Sequence, residues 1–341
     1  VTAGVTAIVL TYDGRELLAE ILPSLAAQQH PLARVIVVDN GSSDDSADYV
    51  QREFPHFELL SLPENIGVAA ALNRGLALVE TPYVALLNND LELDPAWLGH
   101  LVQTLEAHPE AASATGKMLS FHQRDRFDGA GDKLMWSGAA THRGMGELDQ
   151  GQYDQAEAVF SPCAGAAVYR RAAFEDVGPF DEHFFAYQED VDWGLRAQLA
   201  GYTARYEPQA VAFHMGGATT RREWGRYTAL QRRNQVLVVL KNYPAAALFK
   251  HAVKILLYQA GWVLSSARNG ELRRHLGALG QVVLALPRVL RQRRAVRRTR
   301  RVTLAYLDTV ISPEPYAGQG FWQRLGGIAR TLVGGSEAAQ H

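Results

Sequence analysis

The sequence predicts an α/β protein, a mostly parallel sheet flanked by helices, followed by a basic helical extension at the C-terminus. Three observations carry that expectation. Short apolar, β-branched runs alternate with helix-period segments over the first ninety or so residues. Those runs end in polar residues, where an open parallel sheet forms its ligand crevice. The last hundred or so residues change to long apolar and arginine-rich stretches. A length of 341 residues accommodates one large domain with additions, or two. With 47% apolar and 21% charged residues, the chain is globular rather than disordered.

VTAIVLTY (5–12) has the length and composition of a buried strand. GRELLAEILPSLAAQQ then sets Leu17, Leu18, Ile21, Leu22 and Leu25 on one side of a helix. ARVIVVDN (33–40) is a second strand, and SSDDSADYVQREF restarts a helix behind serine and aspartate caps. FELLSLP (57–63), VAAALNRGLALV (68–79) and YVALLNND (83–90) continue as strand, helix and strand. The crevice edge thus reads Thr11-Tyr12-Asp13, Asp39-Asn40 and Asn88-Asn89-Asp90. From about 113 to 175 the alternation fades into a segment rich in glycine, proline and aromatics, expected to shape a substrate with loops and short strands. RYEPQAVAFH (205–214) is the last strand-like run, and a different helical regime begins after KNYP (241–244). The expected division is a body of residues 1–243, in halves 1–112 and 113–243, and an extension of residues 244–341.

The net charge of −2 conceals an asymmetry: residues 1–240 carry −14 and residues 241–341 carry +12. A basic tail on an acidic body seeks phosphates. The single cysteine, Cys163, excludes an intrachain disulfide and fits a reducing compartment. Residues 1–12 lack the basic start and small-residue cleavage site of a signal peptide, so the expected location is cytoplasmic.

Several residues can carry chemistry. Asp39 ends a strand where a carboxylate can accept the imide N–H of a uracil or thymine, with Tyr12 packing on the base. An Asx-turn is the competing reading, favoured for Asn40. Asn88-Asn89-Asp90 puts hard oxygen ligands at the crevice, suited to Mg²⁺ or Mn²⁺ on a diphosphate. His214 ends the last strand and gains weight only as a partner of Asp90. Gly67 opens a helix whose free N–H groups could hold a ribose or phosphate, plain capping being the equal alternative. Arg233, in RRN (232–234), has the forked donors of a diphosphate clamp. In FFAYQEDVDWGLRA (184–197), Glu189, Asp190 and Asp192 repel unless answered by opposite charge; a helix start is the simpler reading, and the only one for Asp192.

The order TY (11–12), VVDNGSSDDS (37–46), NIG (65–67), LLNND (86–90), GPFDEHFFAYQEDVDWGLRA (178–197), HMGG (214–217), RRN and KNYP resembles the family-two inverting glycosyltransferases with the GT-A fold. Within them it is most similar to the rhamnosyltransferase-type branch. The resemblance spans about residues 5–245, and GPFDEHFFAYQEDVDW is its most specific part. It implies that 1–112 is a nucleotide-binding half and 113–243 an acceptor and catalytic half. It implies Asp190 as general base, Glu189 as a loop-setting neighbour, Asp39 as the nucleobase acid and Asn89 as a ribose or diphosphate contact. It implies Asp90 as metal ligand with His214, and Ala164-Gly165-Ala166 as the acceptor-facing wall. Thr11, Tyr12, Asn65, Gly67, Asn73, Asn88 and Arg233 complete the expected donor side, and Trp193 joins Gly165 on the acceptor side. The implied reaction moves rhamnose or a similar sugar from a dTDP- or UDP-linked donor to a glycan or polyprenyl-linked acceptor. A single displacement needs no nucleophilic serine or cysteine, so Cys163 is expected to be a packed thiol.

In the tail, Lys250, His251 and Lys254 interrupt an apolar helix, and eight arginines fill residues 288–301. That pattern predicts helices lying on the inner face of an anionic membrane through residues 244–301, rather than spanning it. A hairpin packed on the body is the competing reading. Nucleic-acid binding is not expected, since no aromatic interleaving or reading motif accompanies the arginines. Two rival functions remain: a catalytically silent nucleotide-sugar binder with a membrane-associating tail, and a nucleotidyltransferase. The silent binder is disfavoured by Asp90, Asp190 and His214 together, and the nucleotidyltransferase by the acidic TYDGREL (11–17), where a basic, glycine-rich triphosphate loop is needed.

Overall fold

The computed structural model describes residues 4–163, 165–216 and 224–312. Ala164 of the expected acceptor wall, Gly217 of the HMGG turn and residues 313–341 of the extension lie outside the described residues. The first half alternates as expected: β1 (Val5–Thr11), α1 (Arg15–Ala26), β2 (Arg34–Asp39), α2 (Ser46–Glu53), β3 (Glu58–Ser61), α3 (Val68–Leu76) and β4 (Tyr83–Asn88). There follow β5 (Leu91–Leu93), α4 (Trp97–Ala107), β6 (Ala111–Ser120), β7 (Phe127–Gly129), β8 (Asp132–Leu134), β9 (Ala140–His142) and β10 (Glu157–Val159). β11 (Ala166–Arg170), α5 (Arg171–Val177), α6 (Glu189–Leu199) and β12 (Thr203–His214) complete the body, and α7 (Trp224–Asn242), α8 (Ala245–Arg268), α9 (Leu272–Thr299) and α10 (Leu304–Val310) follow.

The main sheet runs β10-β12-β6-β11-β4-β1-β2-β3, with β5 on β12 and β7 on β6. β1 pairs in parallel with β2 and β4, and β2 with β3. β11 lies antiparallel between β4 and β6, while β12 returns parallel to β6. Alternate side chains of β1 serve the two faces, as the strand period requires. Val5, Ala7 and Val9 join Leu18, Ile21, Leu22 and Leu25 of α1 and the apolar side of α4. Ile8 and Leu10 meet α3 on the opposite face, where Trp193 and Ala197 of α6 also pack. Leu17, expected with the buried side of α1, is only half-buried.

The segment expected to be loops and short strands holds a ten-residue strand deep in the sheet, β6. The extension does not build a core of its own. Val282, Val289 and Val296 of α9 and Leu307 of α10 share one cluster with Trp136, Phe160 and Phe184, and with Val191, Leu195 and Leu199 of α6. Packing on the body and an exposed apolar side therefore coexist in the same helices.

Candidate active site

Parallel β1, β2 and β4 end together, bringing Thr11, Asp39 and Asn88 to one edge of the sheet. β11 runs the other way, so its start joins that edge: the Asn88 N–H donates to the Gly165 carbonyl at 2.8 Å. A Cβ on Gly165 would lie 3.0 Å from the Asn88 side-chain nitrogen, so glycine leaves room for that amide. Asn89 is buried, and its amide donates to Thr11 Oγ1 at 2.9 Å, tying β4 to β1. Buried Asp39 accepts the Ser42 N–H at 3.1 Å, so the Asx-turn belongs to Asp39 and not to Asn40. Asn40 instead bonds the next loop, donating to Asn65 Oδ1 at 3.2 Å and accepting the Ile66 N–H at 3.0 Å. Tyr12 follows β1 half-buried.

Asp90 and His214 meet because β5 pairs with β12 and sets His214 opposite Leu91. Asp90 Oδ2 lies 3.2 Å from His214 Nε2, and Asp128 Oδ2 lies 2.8 Å from Nδ1. Asp128 was not among the residues singled out from sequence; it comes from β7, paired to β6 beside β12. Burial works to lower the His214 pKa, but hydrogen bonds to Asp128 and Asp90 outweigh it and push the group up to about 10. The donor set fits a divalent cation, which would take the place of the proton between Asp90 and Nε2. A carboxylate oxygen and Nε2 converge, while Asp128 holds Nδ1 and orients the ring, as second partners of metal-bound histidines do.

The Glu189-Asp190 pair follows a strained loop. Phe185, Tyr187 and Gln188 have φ of +63°, +68° and +69°, and Gln188 is the left-handed residue directly before α6. Such conformations cost about 1–3 kcal/mol each and persist only where surroundings fix them. Here Asn234 fixes them: its amide nitrogen lies 2.9, 2.9 and 2.7 Å from the carbonyls of Phe184, Ala186 and Tyr187. Gly67 completes the seat, because a Cβ there would fall 2.6 Å from the Phe185 ring. Buried Glu189 has no hydrogen-bond partner for Oε2, and burial, then the Asp190 charge, push its pKa up to about 8. Asp190 is half-buried and accepts the Val191 N–H at 2.8 Å. Burial thus keeps the Glu189 carboxyl neutral at pH 7 beside the half-buried Asp190.

Other expected residues have different work. The Gly67 N–H donates to Asn65 Oδ1 at 3.0 Å and the Ala69 N–H to the Phe185 carbonyl at 3.3 Å, so the α3 start is capped within the chain. Asn73 bonds Phe180 through both its amide nitrogen and oxygen, at 2.9 and 3.1 Å, bridging α3 to the segment before α6. Arg233 spends its guanidinium on His183 and Phe184 carbonyls and on Gln281 of α9, at 2.6, 3.2 and 3.1 Å. These bonds clamp the loop carbonyls to α7 and α9. Trp193 is 1% exposed, its indole N–H donating to the Gly178 carbonyl at 3.0 Å, so it is core and not acceptor wall. Asp192 is more than a helix start: fully buried, it receives Arg196, Lys241 and Asn242 at 2.9, 2.8 and 2.8 Å. A cavity of about 440 Å³ lies between this network and α9, lined by Asn73, Lys241 and Arg288 but by none of Asp39, Asp90, Asp190 and His214.

The model of the family described as glycosyl transferase family 2 matches residues 6–178. The chain is 30% identical over 291 residues to a pre-mycofactocin glycosyltransferase of Mycobacterium tuberculosis, covering 85% of this chain and 57% of that protein. It therefore spans little more than half of that relative. It is 24% identical over 258 residues to the N-acetylglucosaminyl-diphospho-decaprenol L-rhamnosyltransferase of the same organism, covering 69% of this chain and 84% of that protein. Among solved structures, a Pyrobaculum calidifontis mannosyltransferase in complex with GDP-Man and Mn²⁺ aligns with a TM-score of 0.53 at 20% identity, over 96% of this chain and 80% of that one. That likeness bears on the GT-A architecture alone.

Proposed function

Because the chain belongs to glycosyl transferase family 2, we propose that it moves a sugar from a nucleoside-diphosphate donor to an acceptor hydroxyl, with inversion and with Asp190 as general base. The observation that carries this reading is the clamped loop 184–188, which presents Asp190 from the start of α6. In this reading ionised Asp190 accepts the proton of the attacking hydroxyl. Glu189, protonated, adds no second negative charge next to the base and keeps the loop's inner side neutral. Asp39 and Tyr12 face the nucleobase, Asn88 stays on the donor side, and Gly165 beside it borders the acceptor. Asp90 and His214 would hold Mg²⁺ or Mn²⁺, whose charge offsets the negative charge growing on the diphosphate leaving group.

The donor we favour is a dTDP- or UDP-linked rhamnose or similar sugar, and the acceptor a glycan or polyprenyl-linked hydroxyl; the relative named an L-rhamnosyltransferase on a diphospho-decaprenol supports that class. A lipid-linked acceptor also suits the extension. Among the described residues, ten of the thirteen exposed large apolar side chains lie on α8 and α9, Phe249 at 89% and Leu284 at 84% exposure included, beside Lys250, Lys254 and the arginines of α9. No helix among the described residues is long and apolar enough to cross a membrane. We assign these helices to the cytoplasmic face of an anionic bilayer, apolar side down. The test is a panel of nucleotide sugars incubated with lipid-linked and free glycan acceptors, reading nucleoside-diphosphate release and the anomeric configuration of product. Transfer with inversion supports the reading; retention, or binding with no transfer to any acceptor, overturns it.

A further inference from the structure

The chain's one cysteine stands in a cluster that the proposed reaction does not use. The antiparallel pair β8–β9 sets Asp132 opposite His142. An isolated bridge then joins Asp132 to Ser161, two residues before Cys163. Asp132 Oδ1 lies 2.7 Å from His142 Nδ1, and Asp132 Oδ2 accepts from Ser161 Oγ at 3.3 Å. One ligand atom from each of Asp132, His142 and Cys163 lies within 4.8 Å of the other two. Asp132 is buried, at 3% exposure, and among the described residues its one ion pair is with His142. Neither lysine nor arginine pairs with Asp132 among the described residues, and the Cys163 and Asp132 charges hold the His142 imidazole well above its ordinary pKa. A divalent cation would therefore answer the cluster's negative charge in place of the imidazole proton.

We propose that Asp132, His142 and Cys163 form a second metal site, for a borderline-soft divalent cation of the Zn²⁺ class. The chemistry of the donors sets it apart from Asp90 and His214. A thiolate with an imidazole selects Zn²⁺ over Mg²⁺, whereas a site with a carboxylate and no sulfur accepts hard cations. At Zn–S of about 2.3 Å and Zn–N or Zn–O of about 2.0–2.2 Å, tetrahedral ligand atoms stand about 3.3–3.8 Å apart. The Asp132–His142 contact of 2.7 Å would open to that spacing, and a pair at the 4.8 Å limit would close to it by about 1 Å. Three protein ligands leave a fourth position for water or another small donor.

The site also has a place in the fold. It staples the β8–β9 hairpin to residues 161–163, against which α6 packs at Gly194; a Cβ there would meet the Ser161 Cβ at 2.4 Å. Cys163 Sγ lies 3.8 Å from where a Cβ on Gly165 would stand. The phenol of Tyr169 is raised well above its ordinary value by burial, then by Asp190, Cys163 and Asp132, so the cluster and the proposed base act on the same buried phenol. A cation there rigidifies the Gly165 side of the edge without entering the sugar transfer.

The test is a Co²⁺ titration of chelator-stripped full-length protein in excess Mg²⁺, which occupies hard sites. The expected result is one equivalent giving a near-ultraviolet thiolate-to-cobalt charge-transfer band, which Zn²⁺ displaces. Cys163→Ser should abolish the band, and His142→Ala should weaken Co²⁺ binding by at least about 10-fold. The Asp90 and His214 site contains no sulfur, so it cannot produce the band, and failure of the glycosyl-transfer reading leaves this result unchanged. If Cys163→Ser does not fold, protection of the wild-type thiol from iodoacetamide by one equivalent of Zn²⁺ decides instead. Absence of the band, or alkylation of Cys163 at equal rates with and without Zn²⁺, overturns the proposal. The latter result would make the cluster a plain thiol–imidazole–carboxylate relay.

Discussion

Replacing Glu189 by glutamine should make the protein's stability less sensitive to alkali. The wild-type carboxyl moves from an ordinary pKa of 4.5 to about 8 on folding, chiefly through burial and secondarily through Asp190. Between those values the folded chain holds a proton that the unfolded chain has released, so stability falls as pH rises through the window. Below about pH 4.5 both states are protonated and this residue contributes no pH dependence. Between pH 6 and 8 the loss amounts to about 2 kcal/mol at 1.36 kcal/mol per pK unit, with the curve flattening near the upper value. Glutamine has nearly the same shape as the neutral acid and cannot lose a proton, so it escapes the loss. At about 2.1 cal/mol/K of unfolding entropy per residue, 2 kcal/mol corresponds to about 3 °C in Tm. Thermal melts of both proteins at pH 6, 7 and 8 should therefore diverge, Glu189→Gln gaining about 3 °C on the wild type over that range. Parallel melting curves would refute the reasoning, because they would mean that Glu189 titrates as an exposed carboxylate.

Asp192→Asn should be the structurally severe change in the acidic trio: it removes the charge that answers buried Arg196 and Lys241, and a broken buried pair costs about 3–5 kcal/mol. Denaturant melts check this, and a loss under 1 kcal/mol would contradict it. Activity should vanish in a chelator and return with Mg²⁺ or Mn²⁺, with Asp90→Ala weakening donor affinity only when metal is present; full activity of verified metal-free protein would remove the metal from the account. In liposome flotation the full chain should bind anionic vesicles and release with added salt, since arginine–phosphate attraction is screened. Equal binding to neutral vesicles would count against the membrane assignment.

Much of this architecture is legible in the sequence because β1, β2 and β4 are unbroken apolar runs with polar ends. β6 is not legible, since its AASATGKMLS lacks a β-branched run, and its buried Lys117 is satisfied by Asp149 and Asp154 at 2.7 and 2.6 Å. Strand ends located Asp90 and His214, but Asp128 joins them only through the pairing of β7 with β6. RRN reads as a phosphate clamp because arginine's donors suit phosphates and loop carbonyls alike. Only the fold reveals that the His183 and Phe184 carbonyls use them. Asp192 escaped for a similar reason: two of its partners, Lys241 and Asn242, arrive about fifty residues later in the chain. The strain at Phe185, Tyr187 and Gln188 has no sequence signal at all, since none is a glycine.

The assignment of Asp190 as base is tested most directly by Asp190→Asn, measured for transfer rate and for donor affinity in the same preparation. Asparagine keeps the size and a carbonyl acceptor for the Val191 N–H but cannot take the acceptor's proton. General-base catalysis contributes about 10²–10⁴-fold, so turnover should fall by that order while nucleotide-sugar affinity and Tm stay near wild type. Glu189→Gln should lose much less turnover. An Asp190→Asn enzyme that still turns over at close to the wild-type rate, beside an inactive Glu189→Gln, would contradict the account and place the base at Glu189.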